Sequence, residues 1–267
     1  MDTGKANTRV KVATDKRAIK RRIDDFLWRE ASEPNVRLRR VLTRLFFQFD
    51  RVAIVGGMVR DFARAGRQAF HSDVDLVIEG DVEAVARFAR QHRAEPNKYG
   101  GFSFYAEGWK LDFWALETTW ARRAGHASVH KLEDIAHCTF FDCDAILYDL
   151  KERRIICSDS YLDHLRSGRI EISLEPNPSV TGSLYRAVRR LLLWNLEPGP
   201  KLKSFIERHL TDQGFDRLIT EEGRKDGDGL VTSFRGADVL RDCLSREDVR
   251  RTIAHGHRAI AVSGTSH

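Results

Sequence analysis

Residues 51–55 form a β-branched run, Arg-Val-Ala-Ile-Val, that stops at Gly56-Gly57, and residues 58–65 then carry apolar side chains at helical spacing. A short strand that becomes a helix through two glycines commits this part of the chain to a layered α/β arrangement, because strand and helix must each bury one apolar face. The pattern continues in kind. Residues 73–78 (Asp-Val-Asp-Leu-Val-Ile) alternate as a strand and 82–91 read as a helix. Residues 102–105 and 109–115 read as a hairpin turning near Glu107-Gly108, and 145–150 with 154–157 can supply a further strand pair. Residues 46–160 are therefore expected to form an α+β unit, a mixed sheet flanked by helices.

Helical patterns lie on both sides of this unit. Ile19, Ile23, Phe26 and Leu27, then Leu38, Val41, Leu42, Leu45 and Phe46 after Pro34, mark two amphipathic helices within residues 1–45. Residues 1–44 hold thirteen Lys or Arg against six Asp or Glu, so the net charge of +6 over 267 residues is concentrated there, and the outer faces of these helices are expected to be basic. Residues 161–267 read as a helical region and tail. In residues 183–195, Leu184, Val188, Leu191 and Leu192 share one face and Arg186, Arg189 and Arg190 cluster on another. Helical patterns follow at 201–210 and 215–222, with a Gly-Asp-rich loop at 223–229, weak patterning from 231, and a frayed tail at 263–267. Cys138, Cys143, Cys157 and Cys243 form no CxxC pair and read as reduced side chains in the interior. A mean hydropathy of -0.44 and the absence of a long apolar run argue against a membrane span. The charged opening residues lack the apolar stretch of a secretory signal, so a cytoplasmic location is expected.

Chemistry concentrates on the strands. Asp73 and Asp75 are two residues apart, so both carboxylates leave one face of their strand. Two carboxylates held that close repel unless a cation or proton lies between them, which suits Mg²⁺ or Mn²⁺. In Lys110-Leu-Asp-Phe-Trp114, Asp112 lies opposite the face of Leu111 and Phe113, and a third acid joins the pair if the two strands are neighbours. Three acids from two strands are what two-metal phosphoryl transfer requires. Gly56 and Gly57 allow an oxyanion to approach backbone amides at a helix start, and Arg60 can add a charge-assisted contact to phosphate. Each of these features alone has a plain structural reading, as a solvated strand edge, a turn or a surface charge. Their order and spacing are what point to a site.

The run Ile54-Val-Gly-Gly-Met-Val-Arg-Asp61, followed by Ser72-Asp-Val-Asp-Leu76, resembles the head domain of the tRNA CCA-adding enzyme and bacterial poly(A) polymerase family of nucleotidyltransferases, whose pattern is GGxVRD, a short loop and DxD. The resemblance implies that Asp73 and Asp75 bind the catalytic metals, that Gly56 and Gly57 face a nucleoside triphosphate, that Arg60 and Asp61 form the motif's RD pair, and that Asp112 is the third acid. Fainter similarity runs through Glu133-Asp-Ile-Ala136, residues 145–149 and Tyr185-Arg-Ala-Val-Arg-Arg190. The departures are specific. Where the family has RRDFTxNA, a segment that helps to hold the nucleotide, residues 138–145 read CTFFDCDA, with Asp144 in place of the asparagine. Where it has EDxxR, residues 179–183 read SVTGS. The reaction type carries over and the substrate does not.

The expectation is a shortened, divergent nucleotidyltransferase that moves a nucleoside monophosphate from a triphosphate, ATP foremost, to an acceptor hydroxyl, with an RNA 3′ end favoured. The three arginines Arg186, Arg189 and Arg190 are its candidate RNA contacts. Two alternatives stay open: transfer to a protein, a small molecule or a second nucleotide, and a catalytically silent RNA-binding or regulatory module of the same fold. Oligomeric state is not legible in the sequence.

Overall fold

The computed structural model describes residues 11–70, 73–225 and 227–253. Lys5, Arg9, Ser72 and the expected tail at 263–267 lie outside the described residues. Two compact units emerge, one of residues 11–139 with 143–165, the other of residues 140–142 with 166–253.

The first unit opens with α1 (Lys16–Asp24), which starts where the Asp15 carboxylate accepts a hydrogen bond from the Ala18 amide at 2.7 Å. A wider helical turn (Asp25–Arg29) leads on to α2 (Glu33–Val41), and a second such turn (Leu42–Phe46) ends the pair. The sheet strands and their helices then follow in order: β1 (Arg51–Val55), α3 (Gly57–Arg64), β2 (Val74–Glu79), α4 (Val82–Gln91), β3 (Glu95–Pro96), β4 (Phe102–Ala106), β5 (Trp109–Ala115), α5 (Trp120–Arg123), β6 (Leu147–Asp149), β7 (Arg154–Ile156) and α6 (Tyr161–Arg166). Seven strands make one mixed sheet in the order β3-β4-β5-β2-β1-β6-β7. The β2–β5 pair is parallel and the other pairs are antiparallel. The β4–β5 hairpin turns through Glu107 (φ 49°) and Gly108 (φ 85°), the two left-handed residues that a two-residue turn matched to strand twist demands.

Strand alternation divides the sheet into two unequal faces. Val52, Ile54, Val74, Leu76, Ile78, Leu111 and Phe113 point into a large core shared with Ile19, Ile23, Leu27, Leu38, Leu42 and Phe46 of the N-terminal helices, Phe62 of α3 and Phe88 of α4. The opposite face carries a smaller cluster of Ala53, Val55, Val77, Leu116, Val129, Leu132, Ile135, Leu147 and Ile156. Polar strand residues sit on this second face, where less of the surface is covered.

Many N-terminal basic side chains are tied down locally. Arg22 donates to the carbonyls of Phe62 and Lys11, Arg39 to those of Leu27 and Glu30, and Lys16, Arg29, Arg37 and Arg40 pair with Asp159, Asp25, Glu33 and Glu107. The basic outer face expected from sequence is thus partly neutralised by ion pairs that the linear charge count does not reveal.

The second unit holds β8 (Arg169–Ile170), α7 (Val180–Trp194), β9 (Glu197–Pro198), α8 (Pro200–His209), α9 (Asp212–Lys225) and α10 (Ala237–Ser245), with β8 and β9 paired in parallel. Two sequence expectations are corrected here. Residues 223–225 belong to α9 rather than to a loop: nothing crowds Gly223, and the helix ends instead where the Gly227 amide (φ 57°) closes on the Glu222 carbonyl at 3.0 Å. The weakly patterned stretch from 231 contains α10, which buries Leu240, Cys243 and Leu244 through too few turns to give a clear period.

Candidate active site

Register settles which acids meet. In the parallel pair, Val74 lies opposite Leu111 and Asp75 opposite Asp112, so Asp73 falls across from Lys110, and all four polar side chains leave the more open face. In the antiparallel β1–β2 pair, Ile54 lies opposite Leu76. One step further, the diglycine bend reaches the end of the sheet where Asp73 and Asp75 stand. Gly56 holds φ 60° and ψ −116°, a conformation that favours glycine although nothing lies within 4 Å of where its Cβ would be. Glycine is required there by backbone geometry, not by space.

The cluster contains more than the three acids. The Lys110 ammonium lies 2.5 Å from Asp73 Oδ2 and 3.5 Å from Asp112 Oδ2, bridging two strands. Ser103, opposite Asp112 on β4, donates its hydroxyl to Asp112 Oδ1. Burial and then the neighbouring charges of Asp112 and Asp73 push the Asp75 carboxyl up to about 7, with Lys110 opposing the rise. The bond to Asp73 foremost raises the Lys110 pKa, so the ammonium stays charged. Sequence reasoning passed over Lys110 and Ser103. The signal for Lys110 was available, as it sits two residues from Asp112 and shares its face; Ser103 could be found only once the hairpin register was known.

Three carboxylates, of which Asp75 is held from ionising by the other two and by burial, are the donor chemistry that a hard divalent cation takes. Their side chains do not yet form a ligand cluster, since no group of three or more His, Cys, Asp or Glu poised to hold a metal ion occurs among the described residues. The ammonium of Lys110 occupies the bridging role between Asp73 and Asp112.

Beside the cluster, Arg60 is buried. Its Nη1 donates to Asp144 Oδ1 at 2.6 Å and its Nε to Asp61 Oδ1 at 3.0 Å. Burial alone would lower the guanidinium pKa, but attraction to Asp144 and then Asp61 overcomes it and raises the pKa. The Tyr161 hydroxyl donates to the Cys143 carbonyl at 2.8 Å and pins the loop that carries Asp144. Arg60, Asp61 and Asp144 are thus brought together, in an arrangement that commits Arg60 to two carboxylates. Trp114 shares the face of Asp112 and packs on the smaller core cluster.

In the second unit the three arginines of α7 differ from one another. Arg190 is buried, its guanidinium 4.6 Å from the centre of the Phe141 ring and 5.3 Å from that of Trp194, so it does not belong to an outward stripe. Arg189 pairs with Asp228 at 2.8 Å, and Arg186 is exposed. A cavity of about 230 Å³ opens among Tyr185, Arg186, Arg189, Trp194 and Lys225.

No family model matches the sequence, and no curated protein matches it. Solved structures do. A Thermotoga maritima CCA-adding enzyme complexed with tRNA superposes with a TM-score of 0.50 at 17% identity, over 76% of this chain and 53% of that one. It shares their fold. A CCA-adding enzyme with CTP (TM-score 0.50, 18% identity, 80% and 55% coverage) and a tRNA-processing enzyme in its apo form (0.51, 22%, 80% and 59%) agree. The nucleotidyltransferase-type mixed sheet expected from the sequence is the fold observed, and the chain spans little more than half the length of these structures. None of its described helices is long and apolar enough to cross a membrane.

Proposed function

We propose that the protein is a divalent-metal-dependent nucleotidyltransferase that joins a nucleoside monophosphate to an acceptor hydroxyl, with RNA as the acceptor. The observation that carries this reading is the in-register placement of Asp75 against Asp112, with Asp73 on the same face and a diglycine bend at the same end of the sheet. Asp73, Asp75 and Asp112 would hold Mg²⁺ or Mn²⁺, which when bound supplies Lewis-acid stabilisation of charge on the phosphates and on the departing pyrophosphate. The acceptor hydroxyl gives up its proton to solvent and its oxygen forms a bond to the α-phosphorus as the bond from that phosphorus to the pyrophosphate oxygen breaks. Ser103 orients the Asp112 carboxylate through its hydroxyl. Arg60, fixed between Asp61 and Asp144, keeps the helix start and the 143–144 loop in place rather than reaching phosphate itself. Gly56 and Gly57 turn the backbone amides at the start of α3 towards the place of the triphosphate.

For RNA as acceptor, support comes from the cavity where Arg186, Arg189 and Lys225, the last two each paired with one acid (Asp228 and Glu221), line one wall with the rings of Tyr185 and Trp194.

The test is transfer from each of the four labelled ribonucleoside triphosphates, with Mg²⁺ or Mn²⁺, to tRNA and to short RNA oligomers. The expected result is labelled RNA and released pyrophosphate, lost about 1000-fold or more in Asp112→Asn. Equal turnover by wild type and Asp112→Asn would overturn the proposal. Label appearing in the protein or in a small molecule would replace the acceptor while keeping the reaction.

A further inference from the structure

We infer that Lys110 is a tethered counter-ion of the acidic cluster, an ammonium that holds Asp73 and Asp112 together across two strands and that a divalent cation must displace in order to bind. The inference rests on the proposed metal-binding reading of these acids and adds to it a residue that sets how tightly the ion is held.

Geometry is the first argument. Lys110, on β5, lies opposite Asp73, the residue just before β2, and two residues before Asp112 on one face, so its Nζ approaches a carboxylate oxygen of each, at 2.5 and 3.5 Å. Those are the same two carboxylates, from different strands, that a shared cation would draw together. An ammonium and a divalent cation cannot both occupy that position, because both are attracted by the same oxygens and repel each other.

Charge is the second. A single ammonium brings one positive charge to the oxygens of Asp73 and Asp112. A dication brings two, which is why exchange of one for the other can be favourable. Mobility is the third. Lys110 is partly exposed and sits on a flexible four-carbon stem, so its head group can swing toward solvent without disturbing the strand that carries Asp112. A guanidinium, with its planar fork, would grip the carboxylates more firmly.

The experiment measures Mn²⁺ binding to the full chain by calorimetry and by electron paramagnetic resonance, without nucleotide, for wild type, Lys110→Gln, Lys110→Arg and Asp75→Asn. Lys110→Gln is expected to bind Mn²⁺ about tenfold more tightly than wild type, the order expected when one adjacent like charge is removed from a partly exposed site. Lys110→Arg is expected to bind it several-fold more weakly, and Asp75→Asn to lose binding. Melting curves supply a second readout: Lys110→Gln should melt lower than wild type in chelator and gain more on Mn²⁺ saturation. Should wild type bind Mn²⁺ and both Lys110 variants bind it equally well, the counter-ion role is overturned and the metal site stands. Weaker binding by Lys110→Gln would also overturn it, since Lys110 would then organise the site instead of competing for it. If no protein in the series binds Mn²⁺, the metal-binding reading fails and the inference with it.

Discussion

The two ends of the sheet each gather three carboxylates, with opposite results. At the end away from the diglycine bend, Arg51 pairs with Glu79 (2.9 Å), Glu133 (3.0 Å) and Asp149 (3.4 Å), and Arg154 adds a second bond to Glu133 (2.5 Å). The Arg51 hydrogen bond, opposed by burial and helped by Arg154, draws the Glu133 carboxyl down to about 2. At the other end, Asp73, Asp75 and Asp112 share one ammonium, the close contacts go to Asp73 and Asp112, and the Asp75 carboxyl is driven up to about 7. Two forked guanidiniums make a closed structural network, whereas at the other end burial and the neighbouring carboxylates hold the Asp75 carboxyl against its ordinary ionisation. The same residue type on strands of one sheet is thus drawn to opposite ionisation by the company it keeps.

Substitutions can break that contrast. The largest effect is expected from Asp75→Asn, which should reduce nucleotidyl transfer at least about 1000-fold while the protein in chelator melts at or above the wild-type temperature, because a repelled carboxylate has been replaced by a neutral amide. Transfer assays paired with calorimetry check it, and a sharp fall in melting temperature would show that Asp75 is structural. Next comes Arg51→Met, which strands Glu79, Glu133 and Asp149 without their shared cation and should cost about 2–3 kcal/mol in denaturant unfolding. Turnover per folded molecule should be unchanged. The smallest effect concerns acid. The Glu133 pKa is depressed in the folded protein, so its pairing contributes stability above the ordinary value of 4.5 and loses it as pH falls from there towards about 2. Glu133→Gln should therefore lower stability at pH 7 by about 1–2 kcal/mol, allowing for screening at this partly exposed site. It should also flatten the acid limb between pH 4.5 and 2 in a pH series of unfolding curves.

Much of this was legible along the chain, and particular residues show where legibility stopped. The helix of residues 82–91, the strand at 51–55 and the turn at Glu107-Gly108 fall where local pattern places them, since helical period, β-branching and left-handed turn residues act within a few positions. Arg190 shows the limit: helical spacing groups it with Arg186 and Arg189, but its neighbours Phe141 and Trp194 bury it. Asp144 shows another. The sequence marks it as a departure from a resembled motif, and only the folded chain places it on Arg60, 84 residues away.

What the sequence by itself determined is the local stereochemistry. Asp73 and Asp75 share a strand face because side chains alternate with period two, and the chain turns at Gly56 because glycine adopts a positive φ at little cost. What only the tertiary structure decided is company. Whether β5 lies beside β2, and in which register, depends on long-range pairing through an intervening helix and hairpin. That choice puts Asp112 rather than Leu111 next to Asp75, and Lys110 between Asp73 and Asp112. Electrostatic interactions fall off with distance in space and not with separation in sequence, so the charge balance that distinguishes the two ends of the sheet exists only once the strands have met.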